Sequence, residues 1–263
     1  MLIPLGQRSG TTQPVTHSVS NLSLCERRAD CGGYGYGDTL PAWADMTVAV
    51  AVCCADGILI ASDSASSETV FGFKQPFPRG KIEAISCCGI AYSGNADLCR
   101  RILHETRMAS ERDSSPAHIA ARLSKCARQA TVFRRSGNAQ FVVSGYDKHG
   151  AVRMYLITKS ERFSVADRSD DGYVAVGRWP VVDYFLARFL VPGMSVSAVA
   201  RLAMLAIRET AAVLDGIDTR VRGVLVTSGT EPAPFDFAAI SSDSSAQEIS
   251  YTRAIEYWLS SAP

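Results

Sequence analysis

The chain is predicted to fold as an α+β protein with two stacked sheets between helical layers. Two observations carry this prediction. Strands and helices come in blocks (strands, two helices, strands, two helices, strands) instead of alternating, which disfavours parallel βαβ winding. Several strands are apolar on both faces, so each sheet needs cover on both sides. With 47% apolar and 20% charged residues, a chain of 263 has the composition and the length for such a core.

The first 45 residues stand apart. They hold Gly32, Gly33, Gly35 and Gly37, several Ser and Thr, and no sustained periodicity. Their one apolar patch, Met1 to Leu5, is interrupted by Pro4 and falls short of a signal-peptide core. Residues 1–46 therefore read as a flexible leader: a removed pro-segment, or sequence upstream of a start at Met46. Residues 47–263 form the domain.

Thr47 to Cys54 (TVAVAVCC) is a Val-rich strand, Asp56-Gly57 signals a hairpin turn, and Ile58 to Ser62 is the returning strand. A polar, proline-containing loop leads to a second strand pair, Ile82 to Ser86 and Gly89 to Ser93. Ala96 to Arg112 carries Leu98, Ile102, Leu103 and Met108 at helical spacing. Ser114-Ser115-Pro116 then opens a helix reaching about Arg134, with the stripe Ile119, Leu123, Ala127 and Ala130. Gln140 to Tyr146 and Val152 to Thr158 are strands joined at Lys148-His149-Gly150. Short strands are expected near Phe163 and at Tyr173 to Val176. Pro180 to Phe189 is a helix stopped by Pro192-Gly193, and Ser195 caps a long helix from Val196 to about Leu214. Val221 to Thr227 is a late strand, and a Ser-rich stretch at 241–245 precedes the last one.

The charge balance is near neutral, at +1, so it offers no electrostatic case for nucleic acid or an anionic membrane. No apolar run reaches the ~18 residues of a bilayer span. Eight cysteines include no Cys-x-x-Cys pair and do not cluster with the four histidines, which disfavours a zinc site. Cys53-Cys54 and Cys87-Cys88 are expected as buried strand residues, reduced as in a cytoplasmic protein. No metal or organic cofactor is expected.

The stretches MTVAVAVCCADGILIASDSAS, GKIEAI and GIAYSGNADL resemble the β-type subunits of proteasomes and their bacterial relatives, the HslV-like and Anbu-like peptidases. The resemblance covers about 47–252, with the specific motifs in its first third. It implies an N-terminal-nucleophile hydrolase, a four-layer αββα sandwich of two antiparallel sheets. Thr47 matches the nucleophile, whose hydroxyl attacks a carbonyl while its own free α-amine takes the proton. That requires Thr47 to be the first residue of the mature chain. Met46 stands where self-cleaving members usually carry Gly.

Asp63, in the pattern Ala61-Ser62-Asp63, matches the family's acidic residue, and a hairpin folds it back beside Thr47. Lys81 matches the family lysine, which lowers the amine pKa and stabilises developing charge; Lys74, within the loop, is the alternative. Gly94 matches the glycine whose N–H forms the oxyanion hole. Ser66 sits where the family binds substrate backbone as an extended strand. The Gly-Ser-Gly run before the third helix is replaced by Gly177-Arg178-Trp179-Pro180, without a serine, and Arg178 is a candidate substitute. Asp218, in Asp215-Gly216-Ile217-Asp218-Thr219, matches an Asp near the amine. Thr11-Thr12 after Gly10 mimics a processing site but lacks the strand and the Asp and Lys spacing that follow Thr47.

The resemblance implies a threonine peptidase that acts on peptides or unfolded proteins inside a ring of its own copies. Any ATPase that feeds it would be another chain, because this one has no G-x-x-x-x-G-K-[ST] motif. Rival expectations are an inactive structural ring subunit of the same fold and an amidase for small molecules.

Overall fold

A computed structural model describes residues 47–64, 66–70, 73–77, 80–111, 114–132, 138–177, 180–214 and 217–241. Residues 66–70, 73–77, 131, 132 and 241 are described by their backbone alone.

Two five-stranded antiparallel sheets form the centre. The first has the order β10-β1-β2-β11-β12: Tyr173–Gly177, Val48–Cys54, Gly57–Asp63, Val221–Val226 and Ala233–Phe235. The second has the order β5-β6-β7-β8-β9: Ile82–Ile85, Cys88–Gly94, Ala139–Tyr146, Val152–Thr158 and Val165–Asp167. Helices α1 (Ala96–Met108) and α2 (Pro116–Val132) cover the outer face of the second sheet. Helices α3 (Pro180–Phe189) and α4 (Val196–Val213) cover the outer face of the first. The molecule is therefore the expected αββα sandwich.

Alternation along the strands builds three apolar layers from one sequence. In β1, Val48, Val50 and Val52 face α3 and α4, while Ala49 and Ala51 face the other sheet. In β2, Leu59 and Ala61 point outward, and Ile58 and Ile60 inward. In β7, Phe141 and Val143 pack on α1 and α2, and Val142 joins the inter-sheet layer. Small residues in that layer let the sheets approach closely. Gly89 lies against Ile60 and Val226, where a Cβ would come within 2.3 Å of the Ile60 side chain.

Helix starts follow the expected chemistry. The Asn95 side chain accepts the Leu98 N–H at 2.9 Å to cap α1, and Ser195 accepts the Ala198 N–H at 3.4 Å to cap α4.

Four expectations are corrected. The expected loop between Ser62 and Ile82 contains a separate hairpin, β3 (Ser66–Val70) paired with β4 (Phe73–Phe77). Its sequence, SSETV and FKQPF, lacks the apolar alternation that marks a half-buried strand. The strand expected near Phe163 begins at Val165, because Arg162 and Phe163 take positive φ in a turn. Cys87 lies in the β5–β6 turn and is half-buried, while Cys88 is a fully buried strand residue. After β11 the chain forms β12 and a short helix, α5 (Phe237–Ser241), neither of which was expected. The last expected strand and the leader, with Thr11, Thr12, Cys25 and Cys31, lie outside the described residues. Among the described residues no helix is long and apolar enough to cross a membrane.

Candidate active site

One end of the sandwich gathers most of the residues singled out in the sequence. Thr47 immediately precedes β1, is 6% exposed, and continues the alternation that faces Ala49 and Ala51 towards the other sheet. Asp63 closes β2 and is completely buried. Its Oδ1 accepts the backbone N–H of Val48 at 3.0 Å, so the carboxylate holds the peptide directly after Thr47.

Lys81 completes the centre. It precedes β5, is 5% exposed, and donates from Nζ to both oxygens of Asp63, at 3.0 and 2.9 Å. Its carbonyl accepts the Tyr92 N–H at 3.0 Å, which ties it to β6. Three chain segments, two from one sheet and one from the other, therefore meet on one carboxylate. Lys81 is the lysine that reaches Asp63; the Lys74 side chain lies outside the described residues.

Asp218 lies beside this pair. Its Oδ2 accepts the Ser64 hydroxyl at 2.6 Å and the Arg220 guanidinium at 2.9 and 2.8 Å, and its Oδ1 accepts the Arg220 N–H at 3.0 Å. Its backbone also supports the Asp63 carboxylate. Asp215 and Arg178 lie outside the described residues. Ser66 begins β3 opposite Phe77, and its side chain lies outside the described residues.

Gly94 has φ +112°, and a Cβ there would lie 2.1 Å from the Asn138 carbonyl oxygen. That oxygen already accepts the Asn95 N–H at 2.8 Å, so it has little room to move. Glycine is thus required by packing, whatever its N–H does. Gly94→Ala is expected to lower stability by about 3 kcal/mol, read as a drop in the midpoint of chemical unfolding.

Burial sets the charges. Desolvation lifts the Asp63 carboxyl above the usual carboxylate range, although the Lys81 ammonium and the Val48 N–H pull it back. Burial pushes the Lys81 ammonium below its usual range, with Asp63 opposing. For Asp218, burial works against ionisation, but hydrogen bonds from Arg220 and Ser64 outweigh it and hold the carboxyl at about 2. A depressed carboxyl stabilises the fold above its unfolded value and loses that contribution as pH falls towards 2. Asp218→Asn should therefore flatten the fall in melting temperature between the ordinary carboxylate range and pH 2; an unchanged slope would show that other groups carry it.

Several polar residues at this end were missed by sequence reasoning: Ser64, Ser93, Gln140 and Arg220. Two had a legible signal. Ser93 and Gln140 occupy inward-facing positions of β6 and β7, where the pattern otherwise demands apolar residues like Ala91 and Val142. Among the described residues no group of three or more His, Cys, Asp or Glu could hold a metal ion.

No family model and no curated protein matches the sequence. Solved structures do. The Anbu (ancestral beta-subunit) structure from Yersinia bercovieri superposes with a TM-score of 0.65 at 14% identity, covering 82% of this chain and 98% of that one. The structure of the helical assembly of the Anbu complex from Pseudomonas aeruginosa gives 0.65 at 17%, covering 82% and 97%. A Gly-1 mutant of Anbu from Hyphomicrobium sp. strain MC1 gives 0.64 at 15%, covering 80% and 98%. Such coverage spans nearly the whole of each Anbu chain, and the resemblance seen first in two strand pairs and a glycine turn holds for the entire sandwich: this chain has the Anbu, proteasome-like fold.

Proposed function

We propose that the protein is a threonine peptidase of the N-terminal-nucleophile type, with Thr47 as its nucleophile. The observation that carries this reading is the junction at Asp63, where a fully buried carboxylate binds Lys81 and the peptide that follows Thr47. Such a charge pair costs desolvation energy that an apolar core would not, so its position beside Thr47 calls for a chemical reason.

Once residues 1–46 are removed, the Thr47 α-amine is free and partly unprotonated near neutral pH. The hydroxyl of Thr47 attacks the carbonyl carbon of a peptide bond, and its proton passes to the amine. The Lys81 ammonium favours the unprotonated amine and stabilises negative charge developing at the centre. The Gly94 N–H donates to the oxyanion. Collapse of the intermediate breaks the C–N bond, the leaving amine takes the proton, and an ester to Thr47 remains. Water, deprotonated by the same α-amine, hydrolyses it. Asp218 and Ser64 brace the Asp63–Lys81 pair, and Ser66 aligns the substrate as an added strand.

The substrate class is peptides or unfolded proteins, and the chain works as an assembly of its own copies in the cytoplasm, fed by a separate ATPase. Self-association is supported by the likeness to a subunit that forms a helical Anbu assembly. Intact mass tests the first requirement. Loss of 46 of 263 residues from 28.3 kDa removes about 5 kDa and leaves Thr47 first. An active preparation that keeps a blocked or extended N-terminus rules the mechanism out.

A further inference from the structure

We propose that Gln140 is a positioning residue for Thr47, acting across the sandwich through Gly177; the proposal rests on the reading of Thr47 as nucleophile. The Thr47–Val48 peptide unit is planar and trans, so its C=O and N–H point in opposite directions. The N–H side is held by Asp63. On the C=O side stands Gly177, the last residue of β10 and the register partner of Val48. A Cβ at Gly177 would lie 1.8 Å from the Thr47 carbonyl oxygen and 2.9 Å from Ser93 Oγ, and φ there is +88°. The backbone of Gly177 is therefore the wall against which the Thr47 carbonyl rests.

That wall lies at a weak point of the sheet. Among the described residues β10 is an edge strand, with β1 on one side and no strand on the other. A terminal N–H on such an edge has no ladder partner and frays. Here the Gly177 N–H leaves its own sheet and donates at 2.8 Å to Oε1 of Gln140, a side chain of the opposite sheet. Gln140 is itself fixed between Ser93 of β6 and Thr158 of β8, its register partners. A glutamine at an inward-facing position, in line with Val142, is costly unless its amide is used.

The peptide after the nucleophile is thus clamped from both sides, by Asp63 on its N–H and by Gln140-supported Gly177 on its carbonyl. Fixing that plane fixes the Thr47 Cα and its Cα–C axis, so only rotation about ψ and χ1 is left to place the amine and hydroxyl relative to Lys81. Positioning of this kind acts on the reaction rate more than on substrate binding.

The test compares Gln140→Met, which keeps length but offers no acceptor, with Gln140→Glu, which keeps the acceptor. The readouts on the full chain as it matures are amide exchange at Gly177 and the rate of labelling by a threonine-reactive covalent peptide probe. Gln140→Met should speed exchange at Gly177 by about tenfold or more and slow maximal labelling by about tenfold at unchanged probe affinity. Gln140→Glu should restore protection and most of the rate.

Equal protection of Gly177 in Gln140→Met overturns the clamp. So does an unchanged labelling rate once exchange has opened, or a Glu variant that fails to rescue. A wild-type chain that takes no label overturns the reading of Thr47 as nucleophile, whereas exchange at Gly177 reports the clamp by itself, so the two failures are read separately.

Discussion

Thr47→Ala should abolish labelling by a threonine-reactive covalent peptide probe and lower peptide hydrolysis by about four orders of magnitude or more. The substitution deletes the attacking oxygen while keeping the α-amine, the Asp63–Lys81 pair and the Val48 N–H bond. Melting should therefore change little, which separates a chemical loss from an unfolded chain. Thr47→Ser keeps both hydroxyl and amine and should retain most of the reaction, losing at most about tenfold through a less constrained side chain. Acetylation of the Thr47 amine leaves the hydroxyl in place and should still abolish activity, because the amine is the base. Labelling of Thr47→Ala at the wild-type rate would remove Thr47 from the site.

Much of the sandwich was legible because β1, β2, β6 and β7 carry apolar residues on both faces, and the block order of strands and helices disfavours the parallel folds that also cover a sheet twice. The Thr47, Asp63 and Lys81 cluster was read from the resemblance; in the structure Asp63 bonds Lys81 and the Val48 N–H that follows Thr47, which spacing alone would not have given. The Lys81 assignment shows the limit. The sequence after Asp63 offers both Lys74 and Lys81, and only the folded chain shows that Lys81 bonds Asp63. The hairpin β3–β4 was illegible because its pairing is made by backbone over a polar sequence. Gln140 and Gly177 were illegible as partners because they lie 37 positions apart on different sheets, and their bond depends on how those sheets stack. Arg220 reads in sequence as one surface charge among many. Its bidentate grip on Asp218 becomes visible only once β11 begins beside the end of β2.

Lys81→Ala should cost both stability and turnover, and the two losses can be separated. Removing the ammonium leaves Asp63 fully buried without its counter-charge, which costs about 3–5 kcal/mol, or roughly 10 °C in melting temperature for a domain of this size. Burial already lifts the Asp63 carboxyl, and loss of Lys81 lifts it further. A carboxyl whose folded pKa is raised binds its proton more tightly in the folded state, so the deficit should be small in acid. It should grow as pH rises from the ordinary carboxylate range through the lifted pKa, and level off above it. The double variant Lys81→Met with Asp63→Asn removes both charges and keeps an oxygen for the Val48 N–H. It should recover most of the lost stability, as paired removal of a buried ion pair does. Acylation should not recover with it. Without a cation beside Thr47, the α-amine stays more basic and the developing charge is unsupported, so labelling should remain about a thousandfold below wild type. Chemical unfolding and labelling kinetics, measured on the same samples across pH, decide the matter. If labelling returns with stability in the double variant, the pair only holds β1, β2 and β5 together. If stability returns and labelling does not, the desolvation that the fold tolerates at Asp63 and Lys81 is explained by the chemistry at Thr47.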